Sequence, residues 1–243
     1  MMWGLFTFVT DLLFPALCIH CGTELLDSRS LDGVALPQGW PEATLSFFRF
    51  FQGRRILCRH CWLRLEPAFA RSGAIILRTG TVPIRIVSPF FTNEVLLSLV
   101  RFLKFGGGTP AAESLSWWMA RALRCSCPGP SPEQIVVPVP LHRSRERARG
   151  YNQAALLAKG VAADLGSPCC ERALMRRRRT RSQARLDEEA RARNVMNAFM
   201  LSPGLSVAGK EIVLIDDLVT SGRTVQWCAA ALLAGAPRSV IVL

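Results

Sequence analysis

The chain has 243 residues, half of them hydrophobic, which is ample for a core in one large domain or in one medium and one small. Its net charge of +12 suggests an anionic partner, such as nucleic acid or a phosphate-rich ligand. Nine cysteines without a secretory signal point to a reducing, cytoplasmic compartment with metal-bound or free thiols, and exclude a disulfide framework.

Residues 1–17 are apolar and run up to Cys18. No basic segment precedes them, Asp11 interrupts them, and Leu17 is not the small residue a signal cleavage site wants. The run is too short to span a bilayer, and it reads as an amphipathic helix packed on the rest. Two C-x2-C knuckles follow, Cys18-Ile-His-Cys21 and Cys58-Arg-His-Cys61. Four thiolates in two such pairs are the usual ligand set of a structural zinc, so Cys18, Cys21, Cys58 and Cys61 are the metal candidates. A redox role for one pair is the other possibility, and His20 and His60 could replace a ligand. Such knuckles also occur in nucleic-acid modules, so they do not choose between scaffold and binder. Between them, residues 24–55 form a long Gly- and Pro-punctuated insertion with an aromatic cluster at Phe47, Phe48, Phe50 and Phe51.

The segment from Gly73 to Pro89 is β-rich. From Thr92 to Phe105 the period is helical, with Val95, Leu96, Leu99, Val100 and Leu103 on one face. This helix ends at Lys104-Phe105 before three glycines, and Pro110 starts another that carries Trp117 and Trp118 to the core. Gln134 to Leu141 reads as a buried strand broken at Pro138 and Pro140. A basic loop follows, with Arg143, Arg145, Arg147 and Arg149, then a helix from Asn152 to Leu165. In a doubly wound sheet such loops gather at the carboxyl edge, where ligands bind. The four arginines are placed to meet a diphosphate, although a solvated basic loop is the plainer alternative. Glu171 to Arg193 carries nine arginines and little apolar content before Leu186. It reads as a solvated charged loop, a hood over a site, or a nucleic-acid contact through Arg176 to Arg179. Without aromatics in 171–193, base stacking there has no support.

The most informative stretch is Glu211 to Val225. An apolar strand, Ile212 to Ile215, runs into Asp216 and Asp217, then into the polar turn Thr220-Ser221-Gly222-Arg223-Thr224, then into a helix stopped by Gly235 and Pro237. The turn and helix start offer backbone N–H groups and a positive dipole end to a phosphate. The acidic pair beside it could accept hydrogen bonds from sugar hydroxyls. A ribose 5-phosphate uses both features.

This run resembles the motif by which type I phosphoribosyltransferases bind 5-phosphoribosyl diphosphate (PRPP): strand, two acids, two spacers and a Thr/Ser-Gly-x-Thr loop. The resemblance implies that Asp216 and Asp217 hold the ribose hydroxyls, and that Thr220, Ser221, Gly222, Arg223 and Thr224 hold the 5-phosphate. Two positions depart from the pattern. Thr220 stands where the members acting on hypoxanthine carry an acidic residue, and Arg223 is bulky for a phosphate loop. Val-Pro-Val-Pro-Leu before Arg149-Gly150-Tyr151-Asn152-Gln153 is similar to the signature of the ComF/GntX family, phosphoribosyltransferase-like proteins of DNA uptake in competent bacteria. The paired C-x2-C knuckles, Lys104-Phe105, and Thr180, Gln183, Leu186, Arg191 and Asn194 fit in order.

The resemblance covers nearly the whole chain, the insertion excepted. It implies an α/β protein with a type I phosphoribosyltransferase-like parallel sheet flanked by helices (73–243) and a small N-terminal zinc-ribbon-like module (1–72). Lys104, Arg143, Arg149, Asn152, Gln153 and Arg191 are its candidates for the pyrophosphate and its loops. The implied cofactors are structural Zn2+ and Mg2+ with PRPP. Two functions stay open: transfer from PRPP to an unnamed acceptor, or a single-stranded-DNA-binding module with a non-catalytic PRPP site. Competence or DNA-uptake proteins at the membrane are possible partners, with no span in this chain itself.

Overall fold

Short, β-branched apolar runs bounded by glycine and proline become the strands of a mostly parallel sheet, and the longer 3.6-periodic segments become its helices. A computed structural model describes residues 17–25, 56–68, 75–79, 82–106, 108–127, 131–176 and 198–243. The predicted N-terminal helix, most of the insertion, and 177–197 with Arg191 lie outside the described residues. The chain divides into two compact units, one drawn from 1–71 and 90–114, the other from 72–89 and 115–243.

In the first unit, helix α1 (Arg59–Leu63) begins directly after Cys58 and contains Cys61. Helix α2 (Glu94–Phe105) buries Val95, Leu96, Leu99, Val100 and Leu103, the face its periodicity predicts. Its start is set by Asn93, whose Oδ1 accepts from the Leu96 N–H at 3.0 Å. Helix α3 (Thr109–Ser126) belongs to this unit up to Ser114 and to the second from Leu115. Trp118 is fully buried and meets Trp117 edge to face at 4.8 Å between ring centroids.

The second unit holds a five-stranded sheet in the order β1-β2-β7-β6-β3. Strands β1 (Ile75–Thr79) and β2 (Val82–Ile86) pair antiparallel; β2, β7 (Ser239–Val242), β6 (Glu211–Ile215) and β3 (Gln134–Pro138) run parallel. Each of β3 and β6 is buried from its second residue onward, the continuous burial that a parallel sheet covered on both faces requires. Helix α5 (Gln153–Leu165) packs on β3 and β6, and α6 (Arg223–Leu233) on β7 and β1. A separate antiparallel pair, β4 (Leu174–Arg176) and β5 (Phe199–Leu201), also packs on α6.

One element corrects the sequence reading. Residues 143–149, expected as a loop, form helix α4. It buries none of its residues, so it has no apolar stripe to betray it. Its ends explain it: His142 Nδ1 accepts from the Ser144 N–H at 3.2 Å, and Gly150, at φ 86°, donates its N–H to Glu146 O at 2.7 Å.

Helices α3 and α5 meet at Gly160. A Cβ there would lie 2.6 Å from the Ser116 Cβ and closer still to its Oγ. A glycine-to-alanine change inside a helix ordinarily gains roughly 0.5–1 kcal/mol. Here Gly160→Ala is expected to lose about 1–3 kcal/mol instead, the cost of overpacking. Ser116→Gly in the same chain should recover part of the loss, as read by denaturant unfolding.

Candidate functional site

The first unit carries a cysteine cluster. The Sγ atoms of Cys18, Cys21, Cys58 and Cys61 all lie within 4.8 Å of one another, and those of Cys21 and Cys58 are 3.6 Å apart. Four sulfurs at Zn–S distances of about 2.3 Å in a tetrahedron would be separated by roughly 3.8 Å, so the set fits such an ion. Local backbone builds it. Gly22, at φ 72°, closes the first knuckle with its N–H on Cys18 O, and the Ile19 N–H donates to Ile56 O beside the second. Cys18 and Cys61 are buried and Cys21 is exposed.

Cys21, Cys58 and Cys61 depart from ordinary thiol acidity in different directions. Thr23, through its hydroxyl 3.2 Å from Cys21 Sγ and its backbone, pulls the Cys21 thiol down to about 6. Burial first, then the neighbouring sulfurs, pushes Cys61 up, and burial raises Cys58. A bound cation would reverse this by favouring thiolates. The histidines inside the knuckles stand apart from the sulfurs. His20 Nδ1 lies 3.0 Å from Ser98 Oγ on α2, and His60 is exposed.

The second unit places the acidic pair at the carboxyl end of β6. The Asp216 N–H donates to Leu243 O at 3.1 Å and the Asp217 N–H to Asp216 Oδ1 at 3.0 Å; both residues are half-buried. Thr220 and Ser221 are exposed and Thr224 half-buried. Gly222, buried at φ 72°, is the N-cap of α6 and has no side chain to cap it. The first-turn N–H groups are thereby left to water or a ligand. Arg223 starts the helix and is exposed.

Strand β3 lies directly beside β6, so the residues that follow it reach the same edge. Arg143, Arg145 and Arg147 of α4 are exposed, whereas Arg149 donates to Gln153 Oε1. Asn152 and Gln153 are engaged in structure. Asn152 Oδ1 accepts from the Ala154 N–H at 3.1 Å, and its Nδ2 donates to Val139 O at 3.1 Å; Gln153 is buried. Lys104 lies in the first unit, at the end of α2.

Proteins similar to this chain carry names that speak of DNA utilization and of competence. Over 98 residues it is 39% identical to "DNA utilization protein YhgH" of Salmonella typhi and 38% identical to the Escherichia coli protein of that name. The match takes in 40% of this chain, and the chain spans only 42% of the length of those relatives. Over 81 residues it is 33% identical to "Competence protein F" of Haemophilus influenzae, 33% of this chain and 35% of that one. No protein-family model matches the chain.

Two further residues carry no sequence signal that singles them out. Arg176 looks like one of four identical neighbours, yet it is half-buried with its guanidinium carbon 5.3 Å from the Phe199 ring centroid. Cys228 of α6 is buried near Asp216 and Arg176; burial first, then the Asp216 charge, pushes its thiol well up. Only the pairing of Arg176 with Phe199 across β4 and β5 could have marked the arginine. Among the described residues no helix is long and apolar enough to cross a membrane.

The cluster predicts about one metal ion per chain, zinc by its all-sulfur ligand set. Elemental analysis of the purified protein should find it, and Cys58→Ser should lower the content. A metal-free chain with an unchanged melting profile would dismiss the site.

Proposed function

We propose that the chain is a PRPP-binding protein of the ComF/GntX kind that serves DNA uptake. The observation that carries this is the sequence of strand, acidic pair, left-handed glycine and uncapped helix start at 211–225. PRPP needs a cradle for its 5-phosphate, acceptors for two ribose hydroxyls and cations for its diphosphate. The first turn of α6, with the hydroxyls of Thr220, Ser221 and Thr224, suits the phosphate. Asp216 and Asp217 suit the hydroxyls. Mg2+ would arrive with the diphosphate and supply charge neutralisation there. If transfer occurs, the bond from the anomeric carbon to the diphosphate oxygen breaks, and positive charge builds on the ribose. The contribution of these residues would be positioning and electrostatics. The link to DNA uptake rests on the names of the related proteins and on the charge of +12. The cysteine cluster would hold structural zinc.

Binding should raise the melting temperature by mass action, about 2.7 kcal/mol of added stability at a hundred times Kd. Asp216→Asn with Asp217→Asn is expected to abolish the shift given by PRPP and Mg2+ while the ligand-free chain melts as before. A wild-type shift in the double variant would put the ligand elsewhere.

A second reading, direct contact with single-stranded DNA, is favoured by α4, whose arginines 143, 145 and 147 are all exposed. Such binding should weaken steeply with salt and depend little on sequence. Each phosphate contact on a single strand contributes about −0.7 to the logarithmic salt slope. Arg143→Ala with Arg147→Ala should therefore flatten the slope by roughly 1.4 if each arginine holds one phosphate. An unchanged slope would free α4 of that role.

A further inference from the structure

The four knuckle cysteines are alike as metal ligands and unalike in what can reach them from outside. Cys18 and Cys61 are 2% and 0% exposed. Cys58 is half-buried, and Cys21 is exposed. Cys21 Sγ lies 3.6 Å from Cys58 Sγ, a sulfur of the other knuckle. Both knuckles are held by their backbones. The Gly22 N–H donates to Cys18 O at 2.9 Å and the Cys18 N–H to Thr23 O at 2.8 Å, which pins the turn that carries Cys21. The Cys58 carbonyl accepts from the Trp62 N–H at 3.0 Å as α1 begins. A bound cation keeps its thiol ligands as thiolates, and the thiolate is the nucleophile of cysteine chemistry. With all four sulfurs in that form, access decides which one reacts, and access singles out Cys21.

We propose that Cys21 is a modification site for hydroperoxides, and that Cys58 resolves the modified sulfur through a disulfide between the knuckles that empties the cluster. The proposal rests on the cluster holding zinc. The Cys21 thiolate attacks one oxygen of hydrogen peroxide; the O–O bond breaks, a sulfenic acid forms on Cys21 and hydroxide leaves. The Cys58 thiolate then attacks the Cys21 sulfur; the S–O bond breaks, the S–S bond forms and a second hydroxide leaves. The two thiolates have lost two electrons and the peroxide has gained them. Cys18 and Cys61 remain as two buried thiol ligands, half the set that a structural zinc takes, and the ion is released. A disulfide within the first knuckle, Cys18 with Cys21, is the competing product. It needs a sulfur of a residue only 2% exposed to turn toward the surface, whereas Cys58 is already partly exposed. The pairing of Cys21 with Cys58 also bridges the same 37 residues of chain that the metal bridges, so the knuckles stay joined after the ion has gone. His20, inside the first knuckle, lies 3.0 Å from Ser98 Oγ, so a rearranged knuckle is felt at α2.

The test loads the full chain with zinc and adds hydrogen peroxide in stoichiometric amount. A chromogenic chelator follows the released metal, and peptide mass spectrometry maps the disulfides after the remaining thiols are alkylated. About one zinc ion is expected to leave for each Cys21–Cys58 disulfide formed, and a dithiol reductant should restore zinc binding. Trapping of the sulfenic acid with dimedone should label Cys21 ahead of the other three ligands. Cys21→His keeps a metal ligand in place, as a Cys3His set, and removes both the target and the disulfide. Its release of zinc under peroxide should be slower on the order of tenfold. Cys125→Ser, which removes an exposed cysteine outside the cluster, should release zinc at the wild-type rate. A map dominated by Cys18–Cys21 or Cys58–Cys61 would overturn the pairing, and first labelling of another ligand would overturn the site. Equal slowing by Cys125→Ser and Cys21→His would overturn it as well. Should Cys21→His fail to hold zinc, the wild-type map still decides. A zinc-loaded chain that keeps its ion under peroxide overturns this proposal alone, whereas a chain that takes up no zinc overturns it together with the metal site beneath it.

Discussion

Strands β3 and β6 pair in parallel register from Gln134 with Glu211 to Pro138 with Ile215, so both reach the same height before the chain leaves the sheet. The pairing continues one step further on each side, through Val139 N–H to Ile215 O and Asp216 N–H to Leu243 O. Everything polar at this edge depends on that alignment. The acidic pair emerges from one strand and the arginine helix from its neighbour, with no insertion to separate them. A slip of one residue would exchange the two faces of β6, set every side chain against the wrong neighbours and carry Asp216 to the other side of the sheet. Continuous burial of both strands makes such a slip costly, because every residue from Ile212 to Ile215 is fully inaccessible. A hydrophobic constraint thus fixes the position of charged groups that contribute little to folding themselves.

The first unit solves a different problem by different means. Its knuckles are 37 residues apart at Cys21 and Cys58, and short elements alone would not hold them together. The thiols converge, and two side chains tie them to α2. His20 meets Ser98 in the second turn of the helix, and Asn93 Nδ2 donates to Arg64 O just after α1. Asn93 therefore caps α2 and docks the second knuckle at once. A metal ion bound by the four sulfurs would order both knuckles, and through them the start and middle of α2.

Much of this architecture is legible in the residues because burial leaves periodic marks. The apolar face of α2 and the unbroken runs of β3 and β6 are such marks, and so is Asn152 before α5. Helix α4 left none. Arg-Ser-Arg-Glu-Arg-Ala-Arg has no stripe to bury, and it is helical through its caps at His142 and Gly150. The roles of Asn152 and Gln153 were equally hidden. A sequence pattern shows that an amide is present, not that a carbonyl at Val139 or a guanidinium at Arg149 already engages it. Arg176 is the sharpest case. Four consecutive arginines look equivalent until a strand register places one of them over an aromatic ring.

The charge of this edge bears on how two anionic ligands would behave together. On the two readings proposed above, the exposed arginines on α4 would take a strand of nucleic acid, and the acidic pair with the start of α6 a small phosphate ester. Arg145 is exposed like Arg143 and Arg147, and its charge also weakens the hold of Arg176 on its proton. An anion on one side of Arg145 would lower the positive potential available to the other. The two ligands would then oppose each other, and by linkage equally in both directions. Salt would weaken that opposition less than it weakens strand binding, because screening acts most on exposed charges and least on the half-buried one. Coupling of that form needs no conformational change. It follows from sharing one cation between two anions at the end of two adjacent strands.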